Sequence, residues 1–172
     1  MDGVVFVATR AHAVVPPLVA GVARRVGDRA QARLEAGGHI PQSTALGGRL
    51  ARVAFGRRPS PKALAQVAEM TTSIPPESFL PSGLGLLDHD ARDALRRTRT
   101  PSLVVVGTRD VLTPVRSSRH LAGLLEGSEL HVLPGAGHQL MQERPDELAD
   151  LLDGFVAGLS ESAADMARVG GG

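Results

Sequence analysis

The chain has 172 residues, a length typical of one domain or of one domain with a small insertion. Hydrophobic residues make up 42% and charged residues 22%, and a net charge of +1 gives no reason to expect binding to nucleic acid or to a membrane surface. Because the sequence contains no cysteine, it has no disulfide framework, no thiolate metal site and no cysteine nucleophile.

The first apolar run covers residues 4–9, VVFVAT. It is rich in β-branched residues and apolar on both faces, which predicts a central strand of a sheet. The run is too short for a signal peptide or a membrane span, and no basic segment precedes it. We therefore expect a soluble, cytoplasmic protein.

Helical patterns fill most of the next stretch. Pro16 and Pro17 open one predicted helix, and Gly37 and Gly38 end it. A hydroxyl followed by proline at Ser60 predicts the start of another helix. A shorter helix is predicted over residues 46–55, and residues 76–87 are predicted to be short helix or loop.

A strand–helix–strand unit occupies residues 101–138. Residues 103–106, LVVV, are too few for a helix and predict a buried strand. Thr113 and Pro114 then predict a helix start, with the threonine as its cap, and residues 130–133 predict the next strand. Such units place their two strands parallel, with a right-handed crossover.

Asp110 and His138 each follow the C-terminal end of one of these two strands. Parallel strands place those ends at one edge of the sheet, so we expect the carboxylate and the imidazole to meet. A carboxylate on one ring nitrogen sets the tautomer and leaves the other nitrogen free as a base. The alternative interpretation is a structural aspartate and a loop histidine without chemistry.

Other polar residues carry weaker signals. His12 is predicted to be a solvated loop residue or, alternatively, to line a pocket, and Ser117 and Ser118 are predicted to lie on the surface of a helix. The histidines show no metal-ligand spacing, and the glycines at 135 and 137 predict a tight turn and not a dinucleotide site. We expect no metal and no cofactor.

The segments GTRDVLTP and LPGAGHQLMQERPDELADLL closely resemble the last third of α/β-hydrolase-fold enzymes. The acid, the helix, the strand, the Gly-x-Gly-His turn and the closing helix all occur in that family's order. The resemblance makes Asp110 the triad acid and His138 the triad base. It implies an α/β protein built from the C-terminal portion of the hydrolase fold, with about three parallel strands, flanking helices and a helical lid insertion.

The same resemblance divides the chain into regions. It assigns residues 1–10 and 98–159 to a partial hydrolase core and residues 11–97 to the lid, which would form one wall of an acyl pocket or serve only for packing. Residues 160–172 are small and polar and are expected to be a disordered tail.

The chemistry implied by the resemblance is hydrolysis of a small ester or acyl substrate. The family's nucleophile lies in a G-x-S-x-G motif, but no serine or aspartate here has glycine both two before and two after it. We therefore expect a truncated or split hydrolase, inactive alone, that depends on an N-terminal fragment for its nucleophile. Residues 4–8 would then be an open edge that pairs with that fragment or self-associates. The alternative is a non-catalytic remnant or binding module.

Overall fold

The computed structural model describes residues 2–39, 51–57 and 59–169. The elements, in chain order, are β1 (Val4–Val7), α1 (Pro17–Glu35), α2 (Pro61–Ser73), α3 (Pro76–Gly85), α4 (Arg92–Arg97), β2 (Ser102–Gly107), α5 (Val115–Ala122), β3 (Glu129–Leu133), α6 (Leu140–Glu143) and α7 (Pro145–Val169). They belong to two compact units. The first holds Met1–Arg10, Ala54–Arg58 and Arg92–Gly172, and the second holds Ala11–Val53 and Pro59–Ala91.

The first unit is built on a three-stranded parallel sheet in the order β1-β2-β3. Every residue of β2 is buried, because the strand has a neighbour on each side and both of its faces are covered. This explains why its sequence is a continuous apolar run and does not alternate. The predicted α/β class, with three parallel strands and flanking helices, is confirmed.

The core of this unit lies between the sheet and α7. Leu148 and Phe155 on α7 are buried, and Leu151 and Leu152 pack beside them. Burying each such side chain stabilises the fold by about 1.5–3 kcal/mol. The buried cluster consists of Leu103, Val105, Leu133, Ala136, Leu140, Leu148 and Phe155.

Helix α7 continues further than the sequence analysis predicts. It ends at Val169, whereas a disordered tail was expected from residue 160 onwards. The sequence SESAADMARV contains alanine, glutamate, methionine and arginine, which favour helix, and it contains no proline. The small polar residues of this stretch therefore extend the helix.

Among its described residues, the second unit contains helices α1, α2 and α3. The predicted cap of α2 is confirmed, because the Ser60 hydroxyl accepts a 3.1 Å hydrogen bond from the backbone N–H of Ala63. Helices α1 and α3 approach closely at Gly27, where a Cβ atom would lie 2.7 Å from the side chain of Leu84. Half of the helix predicted over residues 46–55 lies outside the described residues. Of the described part, residues 51–53 are helical.

Among the helices of the described ranges, none combines the length and the apolar composition that crossing a membrane requires.

Candidate active site

Two loops leave the first unit's sheet at the same edge. Gly107 at the end of β2 is in register with Leu133 at the end of β3. The loops are joined by backbone hydrogen bonds, from Thr108 N to Leu133 O at 3.0 Å and from Arg109 N to Ala136 O at 2.8 Å. A Cβ atom on Gly107 would lie 2.2 Å from Ala136 O, so this close approach requires glycine.

Asp110 and His138 meet at this edge, as expected from the strand order. Asp110 Oδ2 lies 3.0 Å from His138 Nδ1, which is hydrogen-bonding distance. The Asp110 side chain is fully buried, and 27% of the His138 side chain is exposed. With its proton on Nδ1, the imidazole donates to the carboxylate and keeps Nε2 as an acceptor. The distance confirms the predicted contact, while the catalytic roles of the two residues stay predictions.

The Asp110 carboxylate accepts hydrogen bonds at both oxygens. Oδ1 accepts from the backbone N–H groups of Leu112 at 2.8 Å and Thr113 at 2.7 Å. Burial is the largest single influence on the Asp110 pKa and by itself would raise it. The hydrogen bonds from His138 and Thr113 together outweigh burial, so the pKa of Asp110 lies below its ordinary value. The carboxylate is therefore held in its charged form.

Thr113 lies beside Asp110 and His138, whereas the sequence analysis predicted it to be a helix cap. Its hydroxyl donates a 2.6 Å hydrogen bond to Asp110 Oδ2 and lies 3.2 Å from His138 Nδ1. The predicted role as a helix cap is wrong, because α5 begins one residue later, with Pro114 at its N-cap and no side-chain cap. The available signal was the Asp-x-x-Thr spacing, which favours a turn closed by the aspartate side chain.

The loop that carries His138 is also held by a segment from the middle of the chain. The backbone N–H of His138 donates a 2.7 Å hydrogen bond to Ala54 O. Residues 54–58, which the resemblance assigned to the lid, group with the first unit in the structure. The division of the chain into core and lid stays a prediction.

The structure also describes the other residues that the sequence analysis singled out. Ser117 and Ser118 are buried, at 7% and 0% exposure, so their predicted surface position is wrong. Helix α5 turns this face inward, and the Ser118 hydroxyl donates to Thr9 O at 3.4 Å. His12 is half-buried in the second unit, where its backbone forms a bridge with Asp90. Gly135 adopts a φ of 75°, which fits the predicted tight turn.

Within the ranges that the structure describes, no three His, Asp or Glu side chains are grouped so as to hold a metal ion.

Curated enzymes match the chain over about half of its length. Pimeloyl-[acyl-carrier protein] methyl ester esterase from Xanthomonas campestris is 36% identical over 86 residues, which are 49% of this chain and 34% of that enzyme. Monoacylglycerol lipase abhd6-B from Xenopus laevis is 29% identical over 83 residues, which are 46% of this chain and 25% of the lipase. The chain therefore spans about a third or less of the curated relatives that it matches.

Solved structures match almost all of the chain. A thermophilic esterase from Thermogutta terrifontis superimposes with a TM-score of 0.74 at 22% identity, covering 91% of this chain and 56% of that one. A hydrolase from Pseudomonas aeruginosa gives a TM-score of 0.71 at 21% identity, covering 90% and 55%. At these identities the likeness concerns the fold, of which the chain spans just over half. The sequence model of the alpha/beta hydrolase family matches residues 2–151, and the chain belongs to that family.

Proposed function

We propose that Asp110 and His138 are the acid and the base of a catalytic triad that hydrolyses a small ester or other acyl substrate. The observation that carries the proposal is the 3.0 Å contact between a fully buried carboxylate and a partly exposed imidazole at one edge of a parallel sheet. A buried carboxylate with a lowered pKa stays charged at neutral pH. It therefore stabilises the imidazolium that forms when the histidine accepts a proton.

In this mechanism His138 acts through Nε2. It takes the proton of a serine hydroxyl as the oxygen attacks the ester carbonyl, and then gives that proton to the leaving alcohol. Asp110 does not exchange protons with the substrate. It holds Nδ1 and so keeps Nε2 in the form that accepts a proton.

The nucleophile in the proposal is a serine outside these 172 residues, since no serine of the sequence stands in a G-x-S-x-G motif. An N-terminal segment or fragment would supply this serine together with the oxyanion-hole donors. The edge of β1 is where we propose that this part pairs. Strand β1 is bonded to β2 on one side, and no strand of the described residues lies on its other side.

Support for ester chemistry comes from the curated relatives. Those named above are a methyl ester esterase and a monoacylglycerol lipase, and both names denote hydrolysis of an ester bond. The two names specify different esters, so they support the class of bond and not a particular substrate.

The test is hydrolysis of a short-chain nitrophenyl ester by the chain alone and by the chain co-expressed with an N-terminal hydrolase segment that carries G-x-S-x-G. We expect the chain alone to hydrolyse the ester no faster than free imidazole does, and the completed protein to hydrolyse it with repeated turnover.

His138→Ala and Asp110→Asn should each lower kcat of the completed protein by about 10³–10⁴-fold. His131→Ala is the matched control, because this half-buried histidine on β3 pairs with Glu129 and lies outside the cluster. If the chain alone hydrolyses the ester, and this activity depends on His138 and on one of its own serines, the proposal that the nucleophile lies outside these residues is wrong.

The second candidate is a binding module or remnant that retains the hydrolase fold without catalysis. It is favoured by the lack of an elbow serine in this sequence. The same assay separates the two candidates. A completed protein that is folded but shows no turnover would favour the binding module.

A further inference from the structure

The carboxylate of Glu143 joins two segments of the first unit that are distant in sequence. Its Oε1 accepts a 2.8 Å hydrogen bond from the backbone N–H of Gly137, and its Oε2 accepts a 3.0 Å hydrogen bond from the backbone N–H of Gly56. Gly137 directly precedes His138, whereas Gly56 lies 87 residues before Glu143. A half-buried side chain at the end of α6 thus satisfies two backbone donors at once.

The two bridged segments are packed backbone against backbone. A Cβ atom on Gly137 would lie 2.1 Å from Gly56 N, and one on Gly56 would lie 2.5 Å from Gly137 N. Real Cβ atoms do not approach other atoms this closely, so both positions require glycine. The backbone N–H groups of both glycines are turned toward one carboxylate, which draws the segments together.

The segment around Gly56 also contacts the loop of the acid. The Arg109 guanidinium donates a 3.2 Å hydrogen bond to Gly56 O, and Arg109 directly precedes Asp110. His138 N is bonded to Ala54 O at 2.7 Å. Residues 54–56 are therefore bonded to the neighbour of the acid on one side and to the histidine backbone on the other.

We propose that Glu143 is a positioning residue for His138, which sets the imidazole at hydrogen-bonding distance from Asp110 by holding the histidine loop against residues 54–56. The proposal rests on the acid and base roles proposed above for the pair. Proton transfer is sensitive to errors of a fraction of an ångström in the placement of the base. A bridge one residue from the histidine is well placed to prevent such errors.

The substitution Glu143→Gln keeps the size of the side chain but leaves one acceptor oxygen for two N–H donors and turns an NH₂ group toward one of them. Glu143→Ala removes both acceptors. Glu161→Gln is the matched control, because Glu161 is an exposed glutamate on α7 and its change removes the same charge. All variants are made in the full chain.

Three measurements on isotopically labelled protein test the proposal. They are the exchange rates of the Gly56 and Gly137 amide protons, the low-field resonance of the His138 Nδ1 proton bonded to Asp110, and global unfolding by urea. In Glu143→Gln we expect the amide exchange rate of Gly56, of Gly137 or of both to rise by about tenfold or more, relative to the exchange rates of the β2 amides. The His138 Nδ1 resonance should shift upfield or broaden. Glu143→Ala should enlarge both effects, and Glu161→Gln should show neither.

Two results would overturn the proposal. One is a folded Glu143→Gln protein whose His138 resonance is unchanged, whatever its stability. The other is a Glu143→Gln protein that does not fold where Glu161→Gln does, since Glu143 would then be a structural residue. These measurements report geometry and not turnover. If the completed protein does not hydrolyse the ester, the proposed function is refuted, but the measured effect of Glu143 on the position of His138 is unaffected.

Discussion

Thr113 donates a 2.6 Å hydrogen bond from its hydroxyl to Asp110 Oδ2, and its backbone N–H donates one of 2.7 Å to Oδ1 of the same carboxylate. One residue therefore holds both oxygens of the candidate acid. This leaves Oδ2 directed at His138, 3.0 Å away. Hydrogen bonds from its own turn therefore orient the carboxylate, in addition to the one from the histidine loop.

The first prediction concerns the Thr113 hydroxyl. Thr113→Val keeps the shape of the side chain but removes a hydrogen bond to a buried charge, so the free energy of unfolding should fall by about 1.5–3 kcal/mol. Urea unfolding at pH 7 measures this loss. Thr98→Val is the control, because the Thr98 hydroxyl donates to an uncharged acceptor, the carbonyl of Ala94 in the preceding helical turn. Equal, small losses in both variants would show that the Thr113 hydroxyl does not support the carboxylate.

The second prediction concerns pH. The pKa of Asp110 is lower in the folded chain than its unfolded value of about 3.9. The stability that this carboxylate contributes is therefore fully present above about pH 4 and is lost as the pH falls through the folded pKa. A ¹³C NMR titration of the Asp110 carboxyl should give a midpoint below about 3.9, and Thr113→Val should raise it. A wild-type midpoint at or above the unfolded value would contradict the sign of the shift.

The third prediction concerns the close approach of the two loops at Gly107. A methyl group there would meet Ala136 O at 2.2 Å, and a backbone atom cannot yield cheaply. Gly107→Ala should therefore lower the free energy of unfolding by at least about 2 kcal/mol. Gly154→Ala is the matched control, since a Cβ atom at this exposed position in α7 meets nothing within 4 Å. That change should stabilise the protein by about 0.5–1 kcal/mol, because alanine favours helix over glycine.

The fourth prediction concerns the edge of the sheet. Strand β1 is apolar, and among the residues that the structure describes no strand pairs with its outer edge. Apolar strand edges of this kind pair with other chains. We expect the isolated chain to self-associate at about 50 µM in light scattering. Val4→Lys places a charge on the edge, where Val4 is 37% exposed, and should reduce this association. Val156→Lys, at a 58% exposed site on α7, should not. A monodisperse wild-type monomer would count against the open edge.

The sheet and the meeting of Asp110 with His138 were predictable from the sequence. The apolar run around Val104 is a local signal, because a strand buried on both faces needs apolar residues on both. The second strand, around Val132, contains His131 and is less buried. The linking helix then makes the strands parallel, and parallel strands bring the residues that follow them to one edge. The candidate acid and base could be located in this way without knowledge of any distant contact.

Only the tertiary structure decided how the pair is held. The two carboxylate oxygens of Glu143 accept hydrogen bonds from Gly137 N and Gly56 N, and Gly56 lies 87 residues before Glu143. No local sequence pattern predicts a contact over such a separation. Likewise, the burial of Ser118 depends on which face of α5 packs inward. Sequence patterns record the solvent exposure and backbone preference of each segment by itself. Which segments then touch, and which polar groups they satisfy, is settled only when the chain packs.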